Sequence, residues 1–321
     1  MDGKIELAEK ARLVENLVFI DGCTRAGKMF LGNLVEGFEN VEKFLYFSLP
    51  EQLSYINQLG LVSKETAKAL ILSHIDNFVY NRVIGRNLNF RFGDKSAISN
   101  SPNVKDYLRR LFEEDGDPAV KFIQESGRIF PFAMHEILPN ISMFFDIYPN
   151  LKVIEIERNP IDLTYSWFQR GWGRRWGKDP KAFSVPIRGE GGPVPWFAFK
   201  WREDYEKTPE MDRIIRSMES LKEMREESLE KLADKRRKRI HFLTYEALST
   251  KPEPELEKIS DFLGRKIVPE MKAIMSRERF IPHPRGEREE KMKVIKEKAS
   301  EESYSKLLKL NEEYEERWEK G

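Results

Sequence analysis

Short apolar runs alternate with longer stretches of helical periodicity along the chain. Four runs are bounded by polar or turn-forming residues and are rich in branched or aromatic side chains, which is typical of buried strands. They cover residues Leu17–Asp21, 129–134, 153–156 and 240–243. Apolar residues spaced three or four apart predict helices between and after these strands. The predicted helices cover residues 4–14, 29–37, 50–84, 104–112, 136–148, 160–170, 196–236 and 256–263, followed by a highly charged helical C-terminal segment.

Two segments have neither the apolar runs of strands nor the helical spacing of apolar residues. Residues 86–102 and 171–195 are rich in Gly, Pro, Asn or Arg, which favours irregular loops. Strands that alternate with helices predict an α/β fold, with a central parallel sheet, flanking helices and ligand chemistry at the carboxyl ends of the strands. We find no repeat and no shift of composition that would mark a boundary. We therefore predict one domain over residues 1–321, with helical insertions at about 50–125 and 171–235.

Composition excludes several classes of function. The net charge is +1 although 34% of the 321 residues are charged, so the chain has no global signature of nucleic-acid binding. The lone Cys23 cannot form an intrachain disulfide and fits a reducing compartment. No apolar run approaches 18 residues, and no signal peptide is recognisable. We expect a soluble, cytoplasmic protein without a membrane partner, and the oligomeric state stays open.

The first strand leads into a turn that carries two glycines and two cations. Gly22 and the pair Gly27-Lys28 have the spacing of the phosphate-binding pattern G-x-x-x-x-G-K-[ST], and a helical pattern follows. The unpaired N–H groups and the positive dipole at such a helix start attract phosphate. Where that pattern places a hydroxyl for Mg²⁺, this chain has Met29, a poor ligand for a hard cation. The turn therefore predicts a sheet of the P-loop NTPase type, with a phosphate site that lacks the standard metal ligand.

A second group of polar residues follows the strand at 153–156. Arg158 lies at the predicted end of this strand, and Ser166 lies eight residues later on the predicted helix. A guanidinium can bind a phosphate with two hydrogen bonds, and a Ser hydroxyl can donate a further one. Alone, this spacing is also compatible with a salt-bridged helix cap.

Together the two motifs resemble the nucleotide-binding motifs of the sulfotransferase superfamily, which uses 3′-phosphoadenosine 5′-phosphosulfate (PAPS). That family's 5′-phosphosulfate loop has the form Pro-Arg/Lys-Ser-Gly-Thr-Thr, and its 3′-phosphate motif has an Arg followed by a Ser eight residues later. A third match is 241–248 with Pro252 and 262–264, which resembles a family segment whose Tyr lies near the adenine. The resemblance implies that PAPS is the cofactor, and implies these cofactor-binding residues: Gly22, Cys23, Thr24, Arg25, Ala26, Gly27, Lys28, Met29, Arg158, Ser166, Tyr245 and, at a weakly matching C-terminal motif, Arg285 and Gly286.

The resemblance also implies the catalytic groups. Arg25 would contact the bridging oxygen and the sulfonate, and Lys28 would neutralise the 5′-phosphate. Small-molecule sulfotransferases use a His ahead of the second motif as the general base, and His135 lies 23 residues before Arg158. Its ordinary pKa near 6.5 suits a base at neutral pH. Other branches of the family use a Glu, so Glu136 and Glu51 stay as alternatives.

Both the acceptor site and the class of function have more than one interpretation. Residues 167–176 are dense in Trp and Arg, and either line a cleft for a small or glycan-like, anionic acceptor or simply pack between helices. The leading hypothesis is sulfuryl transfer from PAPS to a hydroxyl or amine. A P-loop small-molecule kinase is the runner-up, with Glu157 as its one metal-ligand candidate. A catalytically inactive nucleotide-binding protein is the third, because Lys28 and Met29 replace the Thr pair of the family.

Overall fold

The computed structural model describes residues 7–278 and 285–318. A five-stranded sheet in the order β2-β3-β1-β4-β7 forms its centre, and every neighbouring pair is parallel. The strands are β1 (Leu17–Asp21), β2 (Leu45–Tyr46), β3 (Phe130–Ala133), β4 (Lys152–Glu157) and β7 (Ile240–Thr244), and β5 (Pro186–Gly189) and β6 (Gly192–Pro195) form a separate antiparallel hairpin. The α/β fold with a central parallel sheet is confirmed.

Helices cover both faces of the sheet. They are α1 (Lys28–Val35), α2 (Leu49–Gln58), α3 (Lys64–Val83), α4 (Val104–Arg109), α5 (Asp117–Glu125), α6 (Ile141–Ile147), α7 (Pro160–Gln169), α8 (Trp172–Arg175), α9 (Glu210–Glu230), α10 (Asp234–Arg237), α11 (Tyr245–Thr250), α12 (Pro252–Leu263), α13 (Met271–Arg277), α14 (Arg285–Lys298) and α15 (Glu301–Trp318). In the described part of the chain, none of them is long and apolar enough to cross a membrane.

Alternation along the strands divides the core into two layers. Phe19 and Val153 face a cluster formed mainly with α3 and α6. Ile20 and Ile154 face the opposite cluster, which packs against α1 and α12. Because both faces are covered, the strands read as continuous apolar runs, which is why the sequence predicted them.

Three predictions of local structure were wrong. Of the helix predicted at 4–14, residues 4–6 lie outside the described residues, and 7–14 are not helical, because the N–H groups of Leu13 and Val14 donate to the buried carboxylate of Asp76 at 3.0 and 3.2 Å. The predicted helix at 136–148 begins as a helix only at Ile141, after a 3₁₀ turn that contains Pro139. The predicted loop at 171–195 contains α8 and the β5–β6 hairpin.

The other corrections are smaller. The segment 196–236 is divided into 3₁₀ turns, α9 and α10 rather than one helix. The helix predicted at 104–112 ends as α4 at Arg109 and continues as a 3₁₀ turn. The interruption of 50–84 lies at 59–63, where Ser63 caps α3 by accepting a hydrogen bond from the N–H of Thr66.

Candidate active site

A tight loop joins β1 to α1 at the carboxyl edge of the sheet. Gly22 has a φ of +141°, and a Cβ there would meet the carbonyl oxygen of Ile156 on β4. Only glycine lets the loop backbone come this close to the neighbouring strand. The helix that follows begins at Lys28, so the N–H groups of Lys28 and Met29 lie in its first turn, where no helical carbonyl can accept from them. The loop therefore presents a turn of α1 with free donors, as an anion site requires.

Three segments far apart in the sequence meet beside this loop. The Arg25 Nε lies 3.4 Å from the Ser166 Oγ on α7, and the Arg158 Nη1 donates to the Arg25 carbonyl oxygen at 3.0 Å. The Arg158 guanidinium stacks 4.9 Å from the centre of the Tyr245 ring, at the start of α11. The ring of Tyr245 also covers Gly27. The structure thus brings together the loop, the Arg158/Ser166 pair and the tyrosine that sequence analysis assigned to one site.

Positive charge is concentrated there. The pKa of the Arg25 guanidinium is lowered, first by partial burial and then by the positive charges of Arg170 and Arg158. Cations held this close repel one another, and an anion between them relieves the repulsion. Arg25 itself has a φ of +77°, a conformation that costs about 1–3 kcal/mol in a residue other than glycine. A multiply charged phosphate ligand fits this group of arginines.

Lys28 has a different position from Arg25. It is buried, and its ammonium donates to the carbonyl oxygens of Gly22 and Cys23, the latter at 3.0 Å. It therefore holds the loop from inside. Its predicted contact with a 5′-phosphate stays a prediction, and in this arrangement its backbone N–H is better placed for that contact than its side chain.

The predicted base lies at the end of β3. Burial, followed by the positive charge of Lys28, lowers the pKa of His135 to about 3, well below the ordinary value near 6.5 that the sequence analysis used. The imidazole is therefore neutral at pH 7, but it is a weaker base than expected. The carboxyl group of Glu51 on α2 accepts the His135 backbone N–H at 2.8 Å and lies 3.5 Å from its Nδ1. Burial raises the pKa of Glu51 to about 8. The structure brings His135 and one of its alternatives, Glu51, into direct contact.

Glu136 has a structural contact instead. Its Oε1 accepts the N–H of Thr24 at 2.6 Å, and its backbone has a φ of +51°. This hydrogen bond ties the segment after β3 to the phosphate loop, so Glu136 helps to order the loop, and its role as an alternative base stays a prediction. Arg285 and Gly286 begin α14, but their side chains lie outside the described residues.

The tryptophans near α7 form a core. Trp167, Trp176, Trp196 and Trp201 are all less than 10% exposed and pack together with neighbouring aromatics. The packing interpretation therefore holds for these four side chains. The indole N–H of Trp167 donates to the Thr24 carbonyl oxygen at 2.7 Å, so this core also supports the phosphate loop.

Sequence reasoning missed some of this support. Trp167 was assigned to an acceptor cleft or to packing, and its hydrogen bond to the loop has no local signal. The kinase alternative used Glu157 as a metal ligand. In the structure, Glu157 Oε1 lies 3.2 Å from Arg225 and 3.3 Å from Arg317, and its Oε2 accepts from the Trp318 indole. These contacts make it a structural ion-pair partner.

Comparison with known proteins identifies the family. The sulfotransferase domain family matches residues 16–317, and no curated protein sequence matches the chain. Among solved structures, the sulfotransferase domain of the Synechococcus PCC 7002 olefin synthase is 13% identical, with a TM-score of 0.48 over 97% of this chain and 98% of that one. The sulfotransferase domain of the curacin biosynthetic pathway is 14% identical, with a TM-score of 0.46 over 86% and 82%. A sulfotransferase from Mycobacterium avium is 12% identical, with a TM-score of 0.46 over 96% and 78%.

At such identities and TM-scores, the structural superpositions do not establish the family. The assignment rests on the match to the sulfotransferase domain family. It covers nearly the whole chain, including the phosphate loop, the His135 segment and Arg158. The chain belongs to the sulfotransferase family.

Proposed function

We propose that this sulfotransferase takes its sulfuryl group from PAPS and transfers it to a hydroxyl or amine without a metal. The observation that carries the proposal is the convergence of Arg25, Arg158, Ser166 and Tyr245 beside the loop that begins α1. A donor with a 5′-phosphosulfate, a 3′-phosphate and an adenine needs an anion cradle, a second cationic site and a flat surface. These residues supply all three within one continuous site.

Each residue has a distinct role in this proposal. The loop N–H groups and Arg25 bind the sulfonate end and offset the negative charge that develops on the departing phosphate. Arg158 and Ser166 bind the 3′-phosphate, and Tyr245 stacks near the adenine. When bound, PAPS supplies the activated sulfuryl group. Because the sulfuryl group carries less charge than a terminal phosphate, fixed arginines can replace Mg²⁺.

We propose His135 as the general base. Its neutral imidazole accepts the proton of the acceptor's hydroxyl or amine as that group attacks sulfur. Glu51 positions it, because the carboxyl group holds the His135 N–H and faces Nδ1, which leaves Nε2 for the acceptor. Tyr46, which is 41% exposed, lies edge-on to the imidazole at 5.0 Å between ring centres. An acceptor would therefore approach His135 past an aromatic side chain.

The acceptor side is partly closed by the segment after α8. The side-chain amide of Gln52 on α2 donates to the Phe183 carbonyl oxygen at 2.6 Å, and the Phe183 ring is 68% exposed. An exposed aromatic ring next to the α2 end of the site fits a small molecule with a flat or apolar face. Arg170 and Arg174 precede Phe183 in the sequence, and both side chains are exposed. Their positive charge would favour an anionic acceptor.

The ionisation of Glu51 gives a pH prediction. Glu51 is protonated below its pKa of about 8 and negatively charged above it. A carboxylate beside Nδ1 stabilises the imidazolium that forms during transfer, whereas a neutral carboxyl group does so less. We therefore expect kcat/KM to rise by several-fold between pH 7 and 9, with its inflection near 8. Because the pKa of His135 is about 3, we expect no inflection near 6.5.

Neighbouring groups also influence the pKa values of His135 and Glu51. Lys28 and Glu136 act on His135, while Lys28 and the Tyr46 hydroxyl act on Glu51. Glu51→Gln keeps an acceptor for the His135 N–H but removes the ionisation. The variant should keep measurable activity and lose the rise near pH 8. A rise of the same size in Glu51→Gln would show that another group is titrating.

Gly27 provides a test of the cradle. Its φ is +114°, and a Cβ there would lie 2.6 Å from the Tyr245 Cδ2. Gly27→Ala should therefore displace the ring or the loop and weaken 3′-phosphoadenosine 5′-phosphate binding by at least about tenfold, or about 1.4 kcal/mol. Gly60→Ala is the matched control, because Gly60 has a φ of +73° with nothing within 4 Å of its Cβ. Equal affinity in the wild type and Gly27→Ala would exclude the Tyr245 contact from the site.

Turnover tests the proposal as a whole. The enzyme would be incubated in EDTA with ³⁵S-labelled PAPS and separate panels of phenols, alkyl alcohols, amines and saccharides. We expect one panel to give labelled product and an equal amount of 3′-phosphoadenosine 5′-phosphate. Transfer from PAPS to none of the panels, together with Mg²⁺-dependent phosphorylation from ATP, would overturn the proposal in favour of a kinase.

A further inference from the structure

A cavity of about 320 Å³ lies beneath the phosphate loop, on the side of the sheet covered by α7, α9 and α15. This size is at the lower end of the range of about 300–1,000 Å³ that is typical of small-molecule sites. Its inner end is formed by the ends of β1 and β4, including Asp21 and Glu155. Its rim is formed by α9 and α15, where Glu226 and Glu313 are partly exposed. Arg158 is part of its lining, whereas Arg25, Ser166, Tyr245 and His135 are not.

Two buried carboxyl groups lie side by side at the inner end. Asp21 and Glu155 are paired residues in the β1–β4 register and project from the same face of the sheet. Asp21 is 0% and Glu155 is 3% exposed. The Asp21 Oδ2 accepts the N–H groups of Ile137 and Leu138 at 2.9 and 3.2 Å. Among the described residues, the Asp21 Oδ1 and the Glu155 Oε2 have no hydrogen-bond partner.

The nearby cations are engaged elsewhere. Arg225 lies 3.2 Å from the Glu157 Oε1 but 3.9 Å from the Glu155 Oε1, so it favours Glu157. Lys222 bridges Glu226 and Glu313 at the rim. The Lys28 ammonium donates to the loop carbonyls and not to Asp21. Among these cations, Asp21 therefore has no direct ion-pair partner, and Glu155 has only the longer contact from its Oε1 to Arg225.

The electrostatics reflect this shortage of positive charge. Burial raises the pKa of Asp21 to about 7, and burial together with the neighbouring Asp21 raises the pKa of Glu155 well above its ordinary value. Around the whole lining, carboxyl groups outnumber cationic groups by six to four. A buried carboxylate is stable only when it is protonated or faces a positive charge. The pair therefore holds a proton that a cation can replace.

The walls decide what kind of cation fits. Beside the charged groups, apolar side chains line the cavity between the rim and the carboxyl pair: Leu138, Leu163, Met218, Leu221 and Leu310. A bare metal ion would lose its hydration shell against these groups without gaining enough oxygen ligands. Within the described residues, no group of three or more acidic, His or Cys side chains is arranged to hold a metal. An ammonium group on a short apolar chain fits this cavity. The ammonium matches the carboxyl pair at the inner end, and the chain matches the apolar side chains of the walls.

We propose that this cavity is a binding site for a small organic monocation, with its ammonium group between Asp21 and Glu155 and its apolar part against α7 and α9. The ammonium would donate to the two unpaired carboxyl oxygens and displace the shared proton. Gly22 and Cys23 line the same cavity, so an occupied site touches the base of the phosphate loop. The site does not depend on which donor or acceptor the enzyme uses.

Calorimetry with n-butylammonium chloride tests the site on the full chain, without donor or acceptor. Titrations at pH 7 in two buffers of different ionisation enthalpy would report both binding and proton release. We expect saturable binding at one site with release of up to one proton. n-Butanol and NaCl, tested in the same way, should not bind measurably.

Charge-removing variants identify the carboxyl pair. Glu155→Gln breaks no hydrogen bond of the Oε2 atom, so it should fold, with a Tm equal to or above that of the wild type at pH 8. It should weaken n-butylammonium binding by at least about tenfold. Asp21→Asn keeps an acceptor for the Ile137 and Leu138 N–H groups and should show the same loss. Glu223→Gln is the matched control, because it removes one negative charge from an exposed position on α9 outside the cavity.

The other outcomes overturn the proposal. Equal binding of n-butanol would show an apolar pocket that ignores charge. Binding of Na⁺ in place of n-butylammonium would show an inorganic ion site. Absence of binding by all three would show a water-filled cavity. Unchanged affinity in both Glu155→Gln and Asp21→Asn would place the ammonium elsewhere.

Discussion

His135→Ala should lower the rate of sulfuryl transfer by about 10²–10⁴-fold, the range in which general base catalysis contributes. Binding of 3′-phosphoadenosine 5′-phosphate should stay within about twofold of the wild type, because the arginines that face the donor do not contact His135. The measurements are kcat with saturating donor and the Kd of the nucleotide by calorimetry. The fold should survive, since the His135 backbone N–H still donates to Glu51.

Two further variants test whether the loss of activity comes from removing the base at His135. His135→Gln keeps a polar side chain that cannot take up the proton, so it should be as inactive as His135→Ala. His74→Ala is the matched control, because His74 is exposed on α3. Near-normal turnover in His135→Ala would remove the base role from this residue. If Glu51→Gln instead lost the same 10²–10⁴-fold, Glu51 would be the base.

Arg158→Ala should weaken 3′-phosphoadenosine 5′-phosphate by about 10–100-fold, or about 1.4–2.7 kcal/mol. Adenosine 5′-phosphate lacks the 3′-phosphate and should lose about threefold or less. That smaller loss comes from the support that Arg158 gives to the Arg25 carbonyl and the Tyr245 ring. Competition of both nucleotides against one fluorescent analogue would give the two ratios in the same buffer.

The difference between the two nucleotides is the decisive quantity. Arg174→Ala is the control, because the Arg174 side chain is 72% exposed and pairs with Glu210 on α9. It should leave both affinities unchanged. Equal losses for both nucleotides in Arg158→Ala would mean that this residue only shapes the loop, and the 3′-phosphate site would have to lie elsewhere.

Local patterns predicted the part of the site that is local. The strand, the glycine turn and the start of α1 follow one another within the sequence, and the structure has them at Leu17–Asp21, 22–27 and Lys28–Val35. Arg158 lies directly after β4, as predicted, because a buried apolar strand and a proline at the first helical position mark that turn. The spacing of Ser166 then follows from two turns of α7.

Contacts between distant segments had no such signal. The positive φ of Arg25 depends on surroundings that include Arg158 and Trp167, which lie far along the chain. The non-helical course of residues 7–14 is set by Asp76 on α3, against a helical local pattern. β2 has only two residues, too few for periodicity, yet Tyr46 at its end lies against His135. The pairing of Asp21 with Glu155 required the register of the sheet.

The most direct test of the account is calorimetric titration of 3′-phosphoadenosine 5′-phosphate into the protein in EDTA, with ATP titrated under the same conditions. Metal-free, saturable binding of the 3′-phosphorylated nucleotide, at least about tenfold tighter than ATP, is the predicted result. It would show that the protein binds the 3′-phosphorylated nucleotide without a metal, as the donor site requires. Binding of ATP alone, and only after Mg²⁺ is added, would contradict the account.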